Sequence, residues 1–100
     1  MRTYFVYMMT NKKRGTLYIG VTNNLPRRVY EHKKGILGGF TKKYNLRKLI
    51  WYEVTDSIRI AIEEEKRMKK WKRQYKINVV EEENPNWNDL SEEFLDSELL

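Results

Sequence analysis

The sequence predicts an α+β fold, a three-stranded antiparallel sheet flanked by helices in the order β-β-α-β-α-α. Three observations lead to this prediction. Residues 16–21 alternate between apolar and polar side chains, which is typical of a strand with two different faces. Residues 25–34 and 57–71 instead carry apolar side chains at helical spacing, and an apolar segment at 46–54 lies between them. One hundred residues are enough for one such domain and leave little room for a second.

The first two strands are expected to form a hairpin. Residues 2–9 are rich in β-branched and aromatic side chains, and residues 16–21 follow after a polar loop. If that loop is symmetric about its centre, Tyr7 lies directly opposite Tyr18, with both rings on one face of the sheet. Taken alone, such a pair is more often an ordinary aromatic contact that stabilises a small sheet.

Residues 25–34 predict a helix with well-defined ends. Asn24 can cap the first turn, a proline follows where no backbone donor is needed, and Gly35 can end the helix. Arg28 and His32 are four residues apart, so both project from one face. A fixed cation and an imidazole are therefore expected side by side.

The segment 35–45 is too rich in glycine for a helix and is predicted to be a mobile loop. It carries basic and aromatic side chains, namely Phe40, Lys42, Lys43 and Tyr44. Such a loop can hold a phosphate backbone and stack on an exposed base. A plain connector between a helix and the next strand is an equally good interpretation.

The third strand and the elements after it complete the predicted domain. Both faces of 46–54 carry large apolar groups, as expected for a strand that is covered on both sides. Residues 57–71 and 74–82 are read as two further helices, the first capped by Asp56 or Ser57. These elements complete a domain over residues 1–83. The acidic tail, residues 84–100, is expected to dock through Trp87 and to fray towards its end.

Glu65 is the anomaly in the long helix, because it falls on the apolar stripe traced by Ala61 and Met68. Glu63 and Glu64 are better explained as solvated residues. A buried carboxylate is costly unless it is paired or binds a metal. The sequence leaves two partners open for Glu65, a salt bridge from Arg28 or a divalent cation.

The charge distribution favours a polyanionic partner. The net charge is +6, yet residues 81–100 contain eight acidic and no basic side chains, so residues 1–80 hold twenty cations against six anions. A merely soluble, lysine-rich surface is the alternative. The chain has no cysteine and no apolar segment of membrane-spanning length, and its first residues predict a strand rather than a signal peptide. A cytoplasmic protein that does not enter membranes is the expectation.

Several motifs together resemble the GIY-YIG endonuclease superfamily, in particular its small single-domain branch and the nuclease domain of the bacterial excinuclease. The matching residues are Phe5-Val6-Tyr7, then Tyr18-Ile19-Gly20 after ten intervening residues, Arg28 with His32, the set Ala61, Glu65, Lys69 and Trp71, and finally Asn84-Pro85-Asn86-Trp87. Phe5 stands where the family's name-giving glycine would be.

The resemblance implies a divalent-metal-dependent endonuclease that hydrolyses phosphodiester bonds in DNA, with RNA not excluded, and that acts in repair or recombination. By position, Tyr7 would activate the attacking water, Tyr18 would position it, and Arg28 would stabilise the transition state. His32 would support proton transfer, although a polar helix residue with a nearby hydrogen-bond partner is an equally good interpretation. Glu65 would bind a single Mg²⁺ or Mn²⁺ ion. An unperturbed tyrosine with a pKa near 10 is a poor base at neutral pH, so Tyr7 needs assistance.

Basic side chains near these motifs are the predicted nucleic-acid contacts, namely Arg27, Lys33, Lys34, Lys42, Lys43 and Lys69. No residues are left for a separate sequence-reading domain, so cleavage is expected to be structure-directed or non-specific. A homodimer or a partner protein would supply any further specificity. A catalytically weak nucleic-acid-binding module is the alternative, and a protein-interaction domain is a third interpretation.

Overall fold

The computed structural model describes residues 2–95, with side chains described as far as Glu93. Its three strands form one antiparallel sheet in the order β2-β1-β3. The elements in chain order are β1 (Tyr4–Thr10), β2 (Leu17–Thr22), α1 (Leu25–Lys34), α2 (Gly39–Lys43), β3 (Lys48–Thr55), α3 (Ile58–Lys69), α4 (Arg73–Glu83) and α5 (Glu92–Leu95). The predicted α+β fold is confirmed. The predicted fraying of the tail falls on residues 96–100, outside the described part of the chain.

The hairpin register differs from the prediction. Tyr7 pairs with Gly20, and Tyr18 pairs with Met9, so the prediction that Tyr7 lies directly opposite Tyr18 was wrong. The loop centre lies one residue later than assumed because Arg14 adopts a left-handed conformation (φ 54°), which tightens the end of the loop. Tyr7 and Tyr18 are still diagonal neighbours on the same face, with ring centroids 6.2 Å apart.

A β-bulge interrupts the pairing of β1 with β3. Met8 pairs with Trp51 and Met9 with Leu49, which leaves Ile50 as the extra residue. Ile50 and Trp51 consequently belong to the same core cluster. Strict alternation along β3 would place Ile50 on the same face as Tyr52, and the bulge instead places the two side chains in different clusters.

The sheet separates two clusters of buried side chains. On one face Val6, Met8 and Ile19 pack with residues of α3 and α4, including Met68 and Val80. The other face packs against α1 and is made of Tyr7, Met9, Leu25, Val29, Leu46 and Leu49. Burial of these apolar groups supplies the main driving force for folding. Because Tyr7 and Tyr18 lie on the α1 face, that face carries the candidate site.

The segment after α4 packs on the same body. Trp87 is 1% exposed within the α3/α4 cluster, and its indole N–H donates to Glu81 at 2.7 Å. Asn84 donates its amide to the Ile50 carbonyl at 3.1 Å. The Lys33 ammonium lies 2.5 Å from the Asp89 carboxylate, which ties α1 to this segment. Among residues 2–95, no helix combines the length and the apolar character needed to cross a membrane.

Candidate active site

Helix α1 presents the polar side chains of the site, and its observed ends are those predicted. The Asn24 side chain accepts a hydrogen bond from the Arg27 N–H at 3.2 Å, and Gly35 ends the helix in a left-handed conformation. Leu25, Val29 and His32 face the sheet and are buried. A rigid, capped helix therefore fixes His32 against the strands.

Tyr7 and His32 form the centre of the site. The Tyr7 hydroxyl lies 2.9 Å from His32 Nε2, and both side chains are buried, with 0% and 4% of their surface exposed. Within the described part of the chain, His32 Nδ1 has no hydrogen-bond partner. The sequence predicted neither this bond nor its burial, because the two residues are 25 positions apart and belong to different elements.

The surroundings keep both groups uncharged. Burial lowers the pKa of His32 from 6.5 to about 4, and the neighbouring Arg28 guanidinium contributes in the same direction. Burial also raises the pKa of Tyr7, and Tyr18 adds to that shift, while Arg28 opposes it. Both directions follow from the cost of placing a charge away from water. At neutral pH the site therefore holds a neutral imidazole and a neutral phenol.

The low His32 pKa predicts an acid-sensitive fold. The unfolded chain binds a proton near pH 6.5, but the folded chain binds it only near pH 4. The contribution to stability is therefore complete above pH 6.5 and is lost as pH falls towards 4, by roughly 3 kcal/mol in total. In His32→Gln, the free energy of unfolding in urea should lack this pH-dependent component. Parallel stability curves for the two proteins between pH 4 and 8 would contradict the assignment.

Tyr18 and Gly20 shape the space around Tyr7. The Tyr18 ring is half-buried, with its centroid 5.6 Å from that of His32. A side chain at Gly20 would collide with Tyr7, because a Cβ there would lie 2.6 Å from the Tyr7 hydroxyl. Glycine at position 20 is therefore what allows Tyr7 to lie between the strands and α1.

Arg28 lines two neighbouring clefts. With Tyr18 and His32 it lines a cleft of about 200 Å³, and with Arg27 and Glu31 it lines a more polar cleft of about 410 Å³ at the start of α1. Its side chain is 36% exposed and donates to Glu31 at 3.2 Å. A partly exposed guanidinium beside two aromatic hydroxyls is well placed to contact a phosphate.

Glu65 lies on α3, whose buried residues Ala61 and Met68 pack on the sheet face opposite Tyr7. Its carboxylate lies 3.5 Å from the Lys69 ammonium and is 20% exposed. Arg28, the alternative partner considered from the sequence, is paired with Glu31 instead. A salt bridge from Arg28 to Glu65 is therefore not present.

Glu64 was expected to be solvated but is as shielded as Glu65. Its side chain is 21% exposed, and Arg67 donates to it at 2.5 Å. The contact comes from the next turn of α3, where positions three apart are neighbours. The Arg67 guanidinium lies 2.5 Å from Glu64, whereas the Lys69 ammonium lies 3.5 Å from Glu65. Glu65 can therefore exchange its partner for a metal ion more easily than Glu64 can.

The donor set determines which metal could bind. Among residues 2–95, no group of three or more His, Cys, Asp or Glu side chains is arranged to hold a metal ion. Mg²⁺ and Mn²⁺ accept oxygen ligands, and Mg²⁺ in particular binds through one or two carboxylates completed by waters and substrate phosphate. A single carboxylate such as Glu65 fits that mode of binding, in which substrate and protein share the ion. Glu65 is not among the residues that line the cleft with Arg28 and His32.

The predicted nucleic-acid contacts have different environments. Lys33 is paired with Asp89, so its charge holds the fold together. The Lys34 ammonium lies 5.7 Å from the Tyr30 ring centre, and Lys69 is paired with Glu65. Lys69 is nevertheless exposed, and so are Lys34, Lys42, Lys43 and Arg27, whose side chain is 75% exposed.

Besides the Tyr7–His32 contact, two further features of the site were not predicted from the sequence. Glu31 accepts a hydrogen bond from Arg28 at 3.2 Å, and its carboxylate lies 3.7 Å from the Arg27 guanidinium. Both contacts could have been predicted, because Glu31 follows Arg28 by three residues and Arg27 by four. The segment 35–45 contains the short helix α2, where only a loop was predicted. Its glycines lie before or at the start of the helix, with Gly38 and Gly39 at φ 66° and 61°, so they do not interrupt it.

Comparison with known proteins agrees with this fold. Residues 3–78 match the GIY-YIG catalytic domain. A UPF0213 protein of Syntrophus aciditrophicus (strain SB) is 33% identical over 86 residues, which cover 85% of this chain and 97% of that protein. A UPF0213 protein of Bacillus pumilus (strain SAFR-032) is 34% identical over 68 residues, covering 68% and 69% of the two chains.

A solved structure has the same fold. The solution NMR structure of a UPF0213 protein from Bacillus halodurans superposes with a TM-score of 0.56, covering 93% of this chain and 98% of that one at 22% identity. The sheet, the flanking helices and the matched catalytic domain together define a domain of the nuclease type. The chain belongs to the GIY-YIG family.

Proposed function

We propose that this protein is a divalent-metal-dependent endonuclease that hydrolyses phosphodiester bonds in DNA. Cleavage would be structure-directed or non-specific, and the enzyme would act in DNA repair or recombination. The observation that carries the proposal is the buried Tyr7–His32 contact of 2.9 Å beside Tyr18 and Arg28. Hydrolysis needs a proton acceptor for the attacking water and a positive charge near the phosphate. His32 and Arg28, which line the same cleft, are the proposed proton acceptor and positive charge.

The Tyr7–His32 pair offers a route for the proton of the attacking water. Ionising Tyr7 at pH 7 would cost about 4 kcal/mol at its ordinary pKa, and burial raises the pKa further. Protonating His32, with a pKa of about 4, also costs about 4 kcal/mol at pH 7. Passing the proton on to His32 therefore costs less than using an ionised Tyr7 as the base. As water attacks phosphorus, its proton passes to the Tyr7 oxygen while the Tyr7 proton moves to His32 Nε2.

Arg28 and Tyr18 have complementary roles in this proposal. The Arg28 guanidinium would stabilise the charge that develops on the phosphoryl oxygens, since fixed cations are most effective where charge builds up. Its Glu31 partner orients it through a contact of 3.2 Å. The Tyr18 hydroxyl would hydrogen-bond the phosphate or the water and so fix the direction of attack.

Glu65 is the residue that we propose would hold the divalent cation, Mg²⁺ or Mn²⁺. Such an ion, when bound, supplies Lewis acidity at the phosphoryl group. With one protein carboxylate, the affinity for the ion should be weak in the absence of DNA. Release of Lys69, 3.5 Å from Glu65, would free an ammonium for the phosphate backbone at the same time.

The exposed cations support DNA as the substrate. Arg27, Lys34, Lys42 and Lys43 are exposed around α1 and α2, the elements that line the cleft with Arg28 and His32. Lys33 is left out of this surface because Asp89 neutralises it. Any additional specificity would come from a homodimer or a partner protein.

A catalytically weak nucleic-acid-binding module is the second candidate. It is favoured by the ion pair between Glu65 and Lys69 and by the high cost of charging Tyr7. A gel assay on supercoiled, nicked, single-stranded and branched DNA separates the two candidates. We expect cleavage with Mg²⁺ or Mn²⁺ that EDTA abolishes and that Arg28→Ala strongly reduces. DNA binding by a correctly folded protein without cleavage of any of these substrates would overturn the enzyme proposal.

A further inference from the structure

Exposed apolar side chains lie beside the catalytic cleft. Leu37, Phe40 and Tyr44, here called the α2 platform, are 40%, 48% and 41% exposed. Leu37 and Phe40 line the same cleft of about 200 Å³ as Arg28 and His32. Large apolar groups clustered in the open at a site usually mark a surface that a ligand covers.

The α2 platform is anchored to the buried cluster on the α1 face of the sheet. Thr41 is buried, and its carbonyl accepts from the Leu46 N–H at 2.9 Å, which anchors α2 to the α1-face cluster through Leu46. The rings of Phe40 and Tyr44 contact each other, with centroids 4.7 Å apart. Phe40 is thus directed outwards from an ordered element, and its exposure is a property of the fold.

The charges around the platform indicate the chemistry of its ligand. Lys42 and Lys43 are exposed on the same short helix, and the Lys43 ammonium lies 5.4 Å from the Tyr44 ring centre. Aromatic rings interleaved with lysines are typical of surfaces that stack on bases while contacting phosphates. Arg28, in the same cleft, would contact the phosphate that is cut.

We infer that the α2 platform binds the face of an unpaired nucleobase next to the scissile phosphate, so that the substrate is DNA carrying an unpaired nucleotide. In an intact duplex the base faces are covered by their neighbours, and no face is available to Phe40. The inference rests on the proposed function for its choice of DNA. It adds the reason for structure-directed cleavage, which is stacking of one exposed base on Phe40.

The test measures binding without any divalent metal, in EDTA, so that it does not depend on cleavage. The probes are a duplex with one bulged 2-aminopurine and the fully paired duplex containing the same base. We expect tighter binding to the bulged duplex, with quenched 2-aminopurine fluorescence. Phe40→Ala should reduce the preference about 10-fold, the size of one lost base–aromatic stacking contact. Phe40→Leu should restore little of it, because a leucine side chain has no ring to stack.

Tyr75→Ala is the matched control, since Tyr75 is an aromatic residue on α4 that is 57% exposed. It should leave both the preference and the quenching unchanged, and all variants should keep the wild-type melting temperature. Equal affinity for bulged and paired DNA, or a Phe40→Ala protein that behaves like wild type, would overturn the inference. A protein that prefers the bulge but never cleaves would retain the inference and refute the enzyme, so the two failures are distinct.

Discussion

Replacing Glu65 with glutamine is expected to lower metal-dependent DNA cleavage by about a hundredfold or more while DNA binding is retained. Glutamine keeps the shape of the side chain but removes the charge that would hold the ion. Metal stabilisation of the transition state contributes several kcal/mol, and each ~1.4 kcal/mol is a factor of ten in rate. Single-turnover cleavage rates at saturating protein, with Mg²⁺ or Mn²⁺, measure this effect directly.

Glu64→Gln is the matched control for this substitution. The two carboxylates are adjacent on α3 and equally shielded, at 21% and 20% exposure, but Glu64 is held by Arg67. Cleavage by Glu64→Gln should stay near wild type. The Glu65–Lys69 pair is partly exposed, so its loss should change stability by less than about 1 kcal/mol. Undiminished cleavage by Glu65→Gln would remove the metal-binding role from this residue.

Replacing Tyr7 with phenylalanine is expected to lower cleavage by about 10²- to 10⁴-fold, the usual contribution of a positioned acid or base. The ring stays, but the oxygen 2.9 Å from His32 Nε2 is lost, and with it the route for the proton. The buried imidazole also loses its partner, which should destabilise the fold by about 1–3 kcal/mol. Single-turnover rates and urea denaturation of the same preparations separate the two effects.

Tyr52→Phe removes a phenol oxygen from the same face of the sheet and serves as the control. Tyr52 packs against the α1-face cluster and against Phe5, at a centroid distance of 6.4 Å, but does not line the cleft with Arg28. Its cleavage rate should remain close to that of wild type. If Tyr7→Phe and Tyr52→Phe cleave equally fast, the Tyr7 hydroxyl takes no part in the reaction.

Local signals in the sequence were sufficient for α1 and for the fold class. Asn24, the proline after it and Gly35 fix the ends of the helix through short-range hydrogen bonds and backbone preferences. The hairpin register was not predictable in the same way, because it depends on the conformation of Arg14 in the loop. The bulge at Ile50 likewise depends on packing between β1 and β3.

The candidate site likewise contains some features that local sequence signals predict and others that they do not. The position of Arg28 and His32 on the same face of α1 was predicted correctly from their spacing. Contacts between distant parts of the chain, such as Tyr7 with His32 and Lys33 with Asp89, have no local signature and emerge only from the packed fold. The assignment of Glu65 as the metal-binding residue remains a prediction.

The proposed chemistry depends most on a neutral His32 that accepts the Tyr7 proton, and NMR can observe this state directly. His32 is the only histidine of the chain, so its ring nitrogens can be assigned without ambiguity. Titration of the ¹⁵N-labelled protein should give a His32 pKa of about 4, with the proton on Nδ1 and Nε2 accepting from Tyr7 at neutral pH. A pKa near 6.5 that is unchanged in Tyr7→Phe would contradict it.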